Sequence, residues 1–276
     1  MLGLGGEERA VVSKDGTRLR VIETGRPDGD VVLLVHGFVS TAEAWSLVVP
    51  RLVKAGRRVV LMEQRGHGGS TIGGDGLYLE AIGDDLAAVI ESVPDDGRQF
   101  TLAGHSMGTI SAFALGRRRP DLLPRIERFV GASALHRGRG KPVGLELKRH
   151  ILRTRPYEWA RNIRPLGVVF TRTALGPAAG KSLVEATYDM YRRAPGRMIE
   201  ELGRQLLTFD YSDSIPDFTV PTALLVGTAD TKTPPRLAAE LAALLPDAQL
   251  VSVPDVGHMT PLEEPDVLAD LILAAD

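Results

Sequence analysis

Short, uninterrupted apolar runs alternate along this chain with stretches of helical spacing. Two β-rich segments open it, Arg9 to Ser13 and Thr17 to Glu23, with Asp15-Gly16 between them as a hairpin turn. Val31-Val32-Leu33-Leu34-Val35 is continuously apolar, the pattern of a strand buried on both faces of a parallel sheet. Thr41 to Ala55 then has helical spacing, with Ala44, Trp45, Leu47, Val48, Leu52 and Val53 on its apolar side and Gly56 as C-cap. The alternation continues with a strand over 59–62, a helix over 77–93, a strand over 100–103 and a helix over 107–118 stopped by Pro120. A strand over 129–134 follows. Near the end come a strand over 222–226, a helix over 235–245, a strand over 250–253 and a closing helix over 264–274. Strands separated by helices imply βαβ units, and hence a mostly parallel sheet covered on both faces.

Residues 136–218 break this rhythm. They are poor in strand signal and rich in arginine, and Pro142, Pro156, Pro165, Pro177 and Pro195 divide them into short helices. The expected organisation is a core built from 1–135 and 219–276, with 136–218 inserted after the sixth strand as a helical lid. At 276 residues the chain is long enough for one large α/β domain carrying such an insertion.

Composition narrows the chemistry. With 43 % hydrophobic and 25 % charged residues the chain reads as ordinary globular protein, and a net charge of -2 gives no global reason to expect nucleic acid or an anionic membrane as partner. The absence of cysteine excludes disulfides, a thiol nucleophile and thiolate metal sites, and fits a reducing compartment. No apolar run approaches the roughly 20 residues of a membrane span, and the first eight residues lack the pattern of a signal peptide. A cytoplasmic location is therefore expected. The histidines lack metal-ligand spacing, so neither a metal nor another cofactor is expected.

Ligands and catalytic groups in open α/β sheets gather at the carboxyl ends of the strands. Four such ends carry notable residues: His36-Gly37-Phe38, Gly104-His105-Ser106-Met107-Gly108, Gly227-Thr228-Ala229-Asp230, and Pro254-Asp255-Val256-Gly257-His258. The second reads G-x-S-x-G between a strand and a helix, the context in which a tight turn lifts a serine hydroxyl above the sheet edge. A serine hydroxyl is a poor nucleophile alone and needs a base, an orienting acid and a place for negative charge. Asp230 follows an apolar strand, which favours it as the acid over Asp210, Asp213, Asp217 and Asp255. His36, His67 and His105 read as braces of loop backbone rather than catalytic groups.

Over nearly its whole length the chain resembles the α/β-hydrolase superfamily, in its serine esterase branch, with some likeness to the non-haem haloperoxidase or perhydrolase members. The likeness rests on the His36 loop, Arg65-Gly66-His67-Gly68-Gly69-Ser70, the 104–108 turn, Gly227 to Asp230, and Gly257-His258 followed by Pro261, Glu263 and Pro265. The resemblance implies an eight-stranded sheet and a triad in the order Ser106, Asp230, His258. Ser106 would attack a carbonyl, His258 would carry the proton and Asp230 would orient the imidazole, with the Phe38 and Met107 N–H groups as oxyanion hole. Two departures stand out: Glu63 where relatives commonly have aspartate, and Thr109 where a small residue usually follows the turn.

A serine at the turn argues against haloalkane dehalogenase and epoxide hydrolase chemistry, which on this fold needs a carboxylate there. The expected activity is hydrolysis of carboxylic esters with a hydrophobic acyl or ring moiety, through an acyl-enzyme. C–C bond hydrolysis, perhydrolysis and a non-catalytic small-molecule receptor are the alternatives. Trp159, Phe170, Met190 and Phe209 are candidate substrate contacts, and a small molecule is the expected partner. Nine Lys/Arg between Arg137 and Arg164, against Glu146 and Glu158, form either a solvated face or a basic rim for an acidic substrate.

Overall fold

The strands are β1 (Glu7–Val12), β2 (Arg18–Gly25), β3 (Val31–Val35), β4 (Arg58–Met62), β5 (Phe100–His105), β6 (Ile126–Ala132), β7 (Thr222–Gly227) and β8 (Ala248–Val253). This computed structural model describes residues 5–138 and 162–274, so Trp159 and most of the basic 136–164 stretch lie outside the described residues. Among those described, the eight strands form one sheet in the order β1-β2-β4-β3-β5-β6-β7-β8. β1 and β2 pair antiparallel, as do β2 and β4, and every later pairing is parallel.

Strand periodicity divides β3 between the two faces. Leu33 and Val35 join the cluster covered by α2 (Ala81–Ser92), α3 (Met107–Arg118) and α7 (Pro235–Leu244). Val32 and Leu34 join the opposite cluster, under α1 (Val49–Lys54) and α9 (Pro265–Leu273). All four side chains are essentially without solvent exposure. Burial of each contributes roughly 1.5–3 kcal/mol, which makes β3 a fixed central support for the loops at its carboxyl end.

Between β6 and β7 the described residues form α4 (Arg164–Arg172), α5 (Lys181–Arg193) and α6 (Gly196–Leu206). Met198 and Leu202 of α6 enter the main core. Val184 and Met190 of α5 join a smaller cluster with Ala44, Leu175, Met259 and Leu262. These helices are therefore packed onto the carboxyl-end loops of the sheet. The remaining helix, α8 (Thr260–Glu263), directly follows His258 and Met259.

Several elements differ from their sequence-based expectation. Thr41 to Ala55 is a 3₁₀ turn over 42–45 followed by α1, not one helix. Pro50 cannot donate to the Ser46 carbonyl and its ring would strike it, so a continuous helix is excluded. The predicted C-cap holds: Gly56, at φ 80°, donates to the Val53 carbonyl while the Arg57 N–H reaches Leu52. The helix expected from 77 starts at Ala81, because the amide of Gln205 takes both the Leu77 carbonyl and the Leu79 N–H. β6 ends at Ala132 because Ser133 has φ 50°, which cannot continue a strand. The closing helix, in contrast, runs over Pro265–Leu273 as expected, with the short α8 as an addition ahead of it.

Three histidines are buried beneath the carboxyl-end loops. His36 Nδ1–H donates to the Gly37 carbonyl at 2.7 Å and Nε2 accepts from the Gln64 N–H at 3.1 Å. His67 Nδ1 lies 3.0 Å from the Arg65 carbonyl, and His105 Nε2 lies 2.8 Å from the His258 carbonyl. Burial drives the three down from an ordinary value of 6.5, His36 to about 4 and His67 and His105 to about 3.

Two predictions follow from this architecture. A Cβ on Gly108 would overlap the Val35 carbonyl oxygen, so Gly108→Ala should cost at least about 2 kcal/mol and lower Tm measurably in a thermal melt. The second concerns pH. The unfolded chain protonates the three histidines near 6.5, and the folded chain only well below that. Between those values the unfolded state binds more protons, so stability is full above about 6.5 and falls toward pH 4. Each histidine contributes up to about 1.4 kcal/mol per pH unit within that window. Urea midpoints measured from pH 7 to 5 should fall, and His67→Gln should flatten the slope by one proton.

Candidate active site

β5 enters α3 through a single residue. Ser106 has φ 50° and ψ −113°, a conformation that a non-glycine residue resists. Its N–H donates to the Ala132 carbonyl and its own carbonyl accepts from the Thr109 N–H, so the strained turn is fixed on both sides. A Cβ on Gly104 would lie 2.7 Å from the Gly108 backbone, which explains the small residues flanking the turn. The Thr109 hydroxyl donates to the Ser106 carbonyl at 2.7 Å, so this departure from the family pattern reinforces the turn.

Three distant side chains meet above it. His258 Nε2 lies 3.0 Å from Ser106 Oγ, and His258 Nδ1 lies 2.9 Å from Asp230 Oδ2. Asp230 is buried, which by itself opposes a charge there. The neighbouring imidazole outweighs that cost together with the Thr233 hydroxyl at 2.6 Å and the Lys232 and Thr233 N–H groups at 2.8 Å. These groups hold the carboxyl well below the usual carboxylate range. With the Nδ1 proton directed at Asp230, Nε2 presents a lone pair to the serine hydroxyl. This arrangement can take a proton from Ser106 and return it to a leaving group.

The first loop, after β3, brings Phe38 to the same edge. Its ring packs edge-on to His67 at 6.3 Å, and a Cβ on Gly203 of α6 would lie 3.5 Å from that ring. The next residue, Val39, has φ 52°, a strained value for a β-branched side chain. Met107 opens α3 and is buried. Among the described residues no protein acceptor takes the Phe38 or Met107 N–H, and the latter also sits at the positive end of α3.

Buried ion pairs fix the neighbouring loop. Arg65 makes a two-pronged contact with Asp85, at 2.6 and 2.7 Å, and reaches Asp15 at 3.1 Å. Glu63, the residue longer by one methylene than the family pattern, accepts from the Gly69 N–H at 2.7 Å and lies 3.2 Å from Arg20. It also lies 3.4 Å from the Ala42 N–H, tying this loop to the one that bears Phe38.

The other sequence candidates fall in varied surroundings. Met190 is buried, its sulfur 3.7 Å from Ser40 Oγ. Phe209 is half-buried against Tyr211. Phe170 is 47 % exposed, stacked on Tyr191 at 5.1 Å with the Lys232 ammonium 5.2 Å from its ring. Sequence reasoning missed Thr233, although an aspartate followed three residues later by threonine is a readable turn signal. It also missed Ser133, whose hydroxyl donates to the His258 carbonyl at 3.0 Å. Glu263 stands in the motif that follows His258, where the sequence alone shows no role for it. It accepts three backbone N–H groups, yet burial still raises its carboxyl above the ordinary value. Among the described residues no group of acidic or histidine side chains is arranged to hold a metal, and no helix is long and apolar enough to cross a membrane.

Known proteins are similar to this chain over most of its length. A pimeloyl-[acyl-carrier protein] methyl ester esterase of Aromatoleum aromaticum is 30 % identical over a match covering 90 % of this chain and 97 % of its own. The bifunctional esterase/perhydrolase DCH of Acinetobacter calcoaceticus is 24 % identical, with 96 % and 98 % covered. Among solved structures, a thermophilic esterase from Thermogutta terrifontis superposes with a TM-score of 0.77 at 26 % identity, covering 96 % of each chain. The model of the alpha/beta hydrolase family matches residues 32–271. With that span matched, and the sheet order and the strand-to-helix serine turn as described, the chain belongs to the alpha/beta hydrolase family.

Proposed function

We propose that this protein hydrolyses carboxylic esters through a covalent acyl-enzyme formed on Ser106. The observation that carries the reading is the line from Ser106 Oγ through His258 to Asp230, at 3.0 and 2.9 Å. Ser106 attacks the ester carbonyl as His258 Nε2 takes its proton. The Phe38 and Met107 N–H groups receive the oxyanion, each such donor contributing about 3 kcal/mol to transition-state stabilisation. Collapse expels the alcohol, which takes the proton from His258. Water then enters by the same base and releases the acid. Asp230 stays ionised throughout and stabilises the imidazolium. The ester chemistry named for the Aromatoleum and Thermogutta relatives supports the reading.

The segment 136–218 serves in this reading as the lid, with a small, largely apolar ester as substrate. Met190, Phe209 and Phe170 are proposed as contacts to the acyl or ring moiety; Trp159, the fourth sequence candidate, lies outside the described residues. The contacts of Met190 with Ser40 and of α6 with the Phe38 ring support a lid seated over the site. Perhydrolysis is the second reading, favoured by the perhydrolase activity for which the Acinetobacter relative is named. It differs only in peroxide replacing water at the deacylation step.

Ser106→Ala should reduce turnover of p-nitrophenyl esters at least about a thousandfold while leaving Tm within a few degrees of wild type. The wild type should label with a fluorophosphonate probe at Ser106. Folded protein that neither labels nor turns over an ester panel would be a receptor on the same fold. Peroxide-dependent formation of peracid would establish the second reading.

A further inference from the structure

The His258 loop is held from two sides. On the core side, the His258 carbonyl accepts from His105 Nε2 at 2.8 Å and Ser133 Oγ at 3.0 Å. On the other side, the His258 N–H donates to the Ala174 carbonyl at 2.8 Å. Ala174 lies in the short strap that follows α4, and this strap runs so close to Gly257 that a Cβ there would overlap the backbone of Leu175 and Gly176. One carboxylate closes the arrangement. Glu263 Oε2 accepts from the Gly176 N–H at 2.6 Å and the Gly257 N–H at 3.1 Å, while Oε1 accepts from the Met259 N–H at 3.1 Å.

The donors on Gly257 and Met259 flank His258 in sequence, whereas Gly176 belongs to the strap. We infer that Glu263 is a positioning residue for the proposed base: it pins the backbone on both sides of His258 and fastens the strap to it, so the imidazole lines up with Ser106 only while the strap is seated. This rests on the hydrolase reading above. A carboxylate suits the task because both oxygens accept, and the three donors all require acceptors. An amide cannot replace it, since its NH₂ group would face an N–H. Small displacements of a catalytic group carry large rate penalties, and an error of about 1 Å costs about a hundredfold.

The test is Glu263→Gln, assayed with the ester that Ser106 turns over. The expected result is a fall in kcat of about 10- to 100-fold with KM within about twofold of wild type. The low-field proton resonance of the His258–Asp230 hydrogen bond should broaden or shift, a signal that general loosening elsewhere would leave in place. If Glu263→Gln does not fold, Glu263→Asp keeps the charge and withdraws the carboxylate by one methylene, and the same result is expected. A folded variant with wild-type kcat and an unchanged resonance overturns the inference. Turnover that survives Ser106→Ala overturns the hydrolase reading instead, so the two failures are separable.

Discussion

At Ser106 the chain passes from strand to helix through a backbone conformation that costs on the order of 1–3 kcal/mol. The surroundings leave no alternative. β5 is paired on both sides, α3 lies against β3 with no room for a side chain at Gly108, and hydrogen bonds from Ser106 to Ala132 and from Thr109 to Ser106 fix the turn. The hydroxyl therefore projects from the sheet edge at a place set by the most deeply buried strands. Everything else in the site consists of loops brought to that fixed point.

Those loops carry a large share of buried polar groups, and most are partnered, His67 Nε2 and His105 Nδ1 being exceptions. His36 joins the β3 and β4 loops through Gly37 and Gln64, and Gln64 continues to Ser111 of α3 at 2.7 Å. Arg65 connects the β4 loop to Asp85 of α2 and to Asp15 of the first hairpin. Removing one member of such a network leaves a buried group without its partner, costlier than the bond's net contribution. The network thus resists piecemeal change, and it gives Ser106, the proposed nucleophile, and the proposed oxyanion donors a common footing. Strain at Val39 and Ser133 belongs to the same design, since both turn the chain sharply where a strand or loop must deliver a group to the edge.

The sheet was legible because its signal is local: continuous apolar runs such as Val31–Val35 and Leu224–Val226 can be read without knowing what they pack on. Errors arose where a distant partner decides. Gln205 lies far along the chain from Leu77 and Leu79, and no periodicity near 77 shows that it will claim their backbone groups. The Pro50 break, in contrast, was readable, because proline's missing donor is a property of the residue itself. At the site, residues within motifs could be named from sequence, whereas supporting ones such as Ser133 and Thr233 matter only because of what the fold sets beside them. The candidate substrate contacts were least legible: an aromatic or methionine at helical spacing looks alike whether it faces a pocket, as proposed for Met190, or lies half in solvent like Phe170.

Asp230 shows how supporting groups decide chemistry. A buried carboxylate next to an imidazole could lower its energy by taking a proton, and a protonated acid would orient the histidine poorly. The imidazole and Thr233 together prevent this, the threonine donating from both its hydroxyl and its N–H, with the Lys232 N–H as a further donor. These three bonds satisfy the charge in place. They leave Oδ2 one open direction, toward His258 Nδ1. The proton on Nδ1 is thereby fixed, so Nε2 faces Ser106 with its lone pair free. Neither the threonine nor the strand supplies that lone pair, yet the tautomer that exposes it exists because the acid is held ionised from behind.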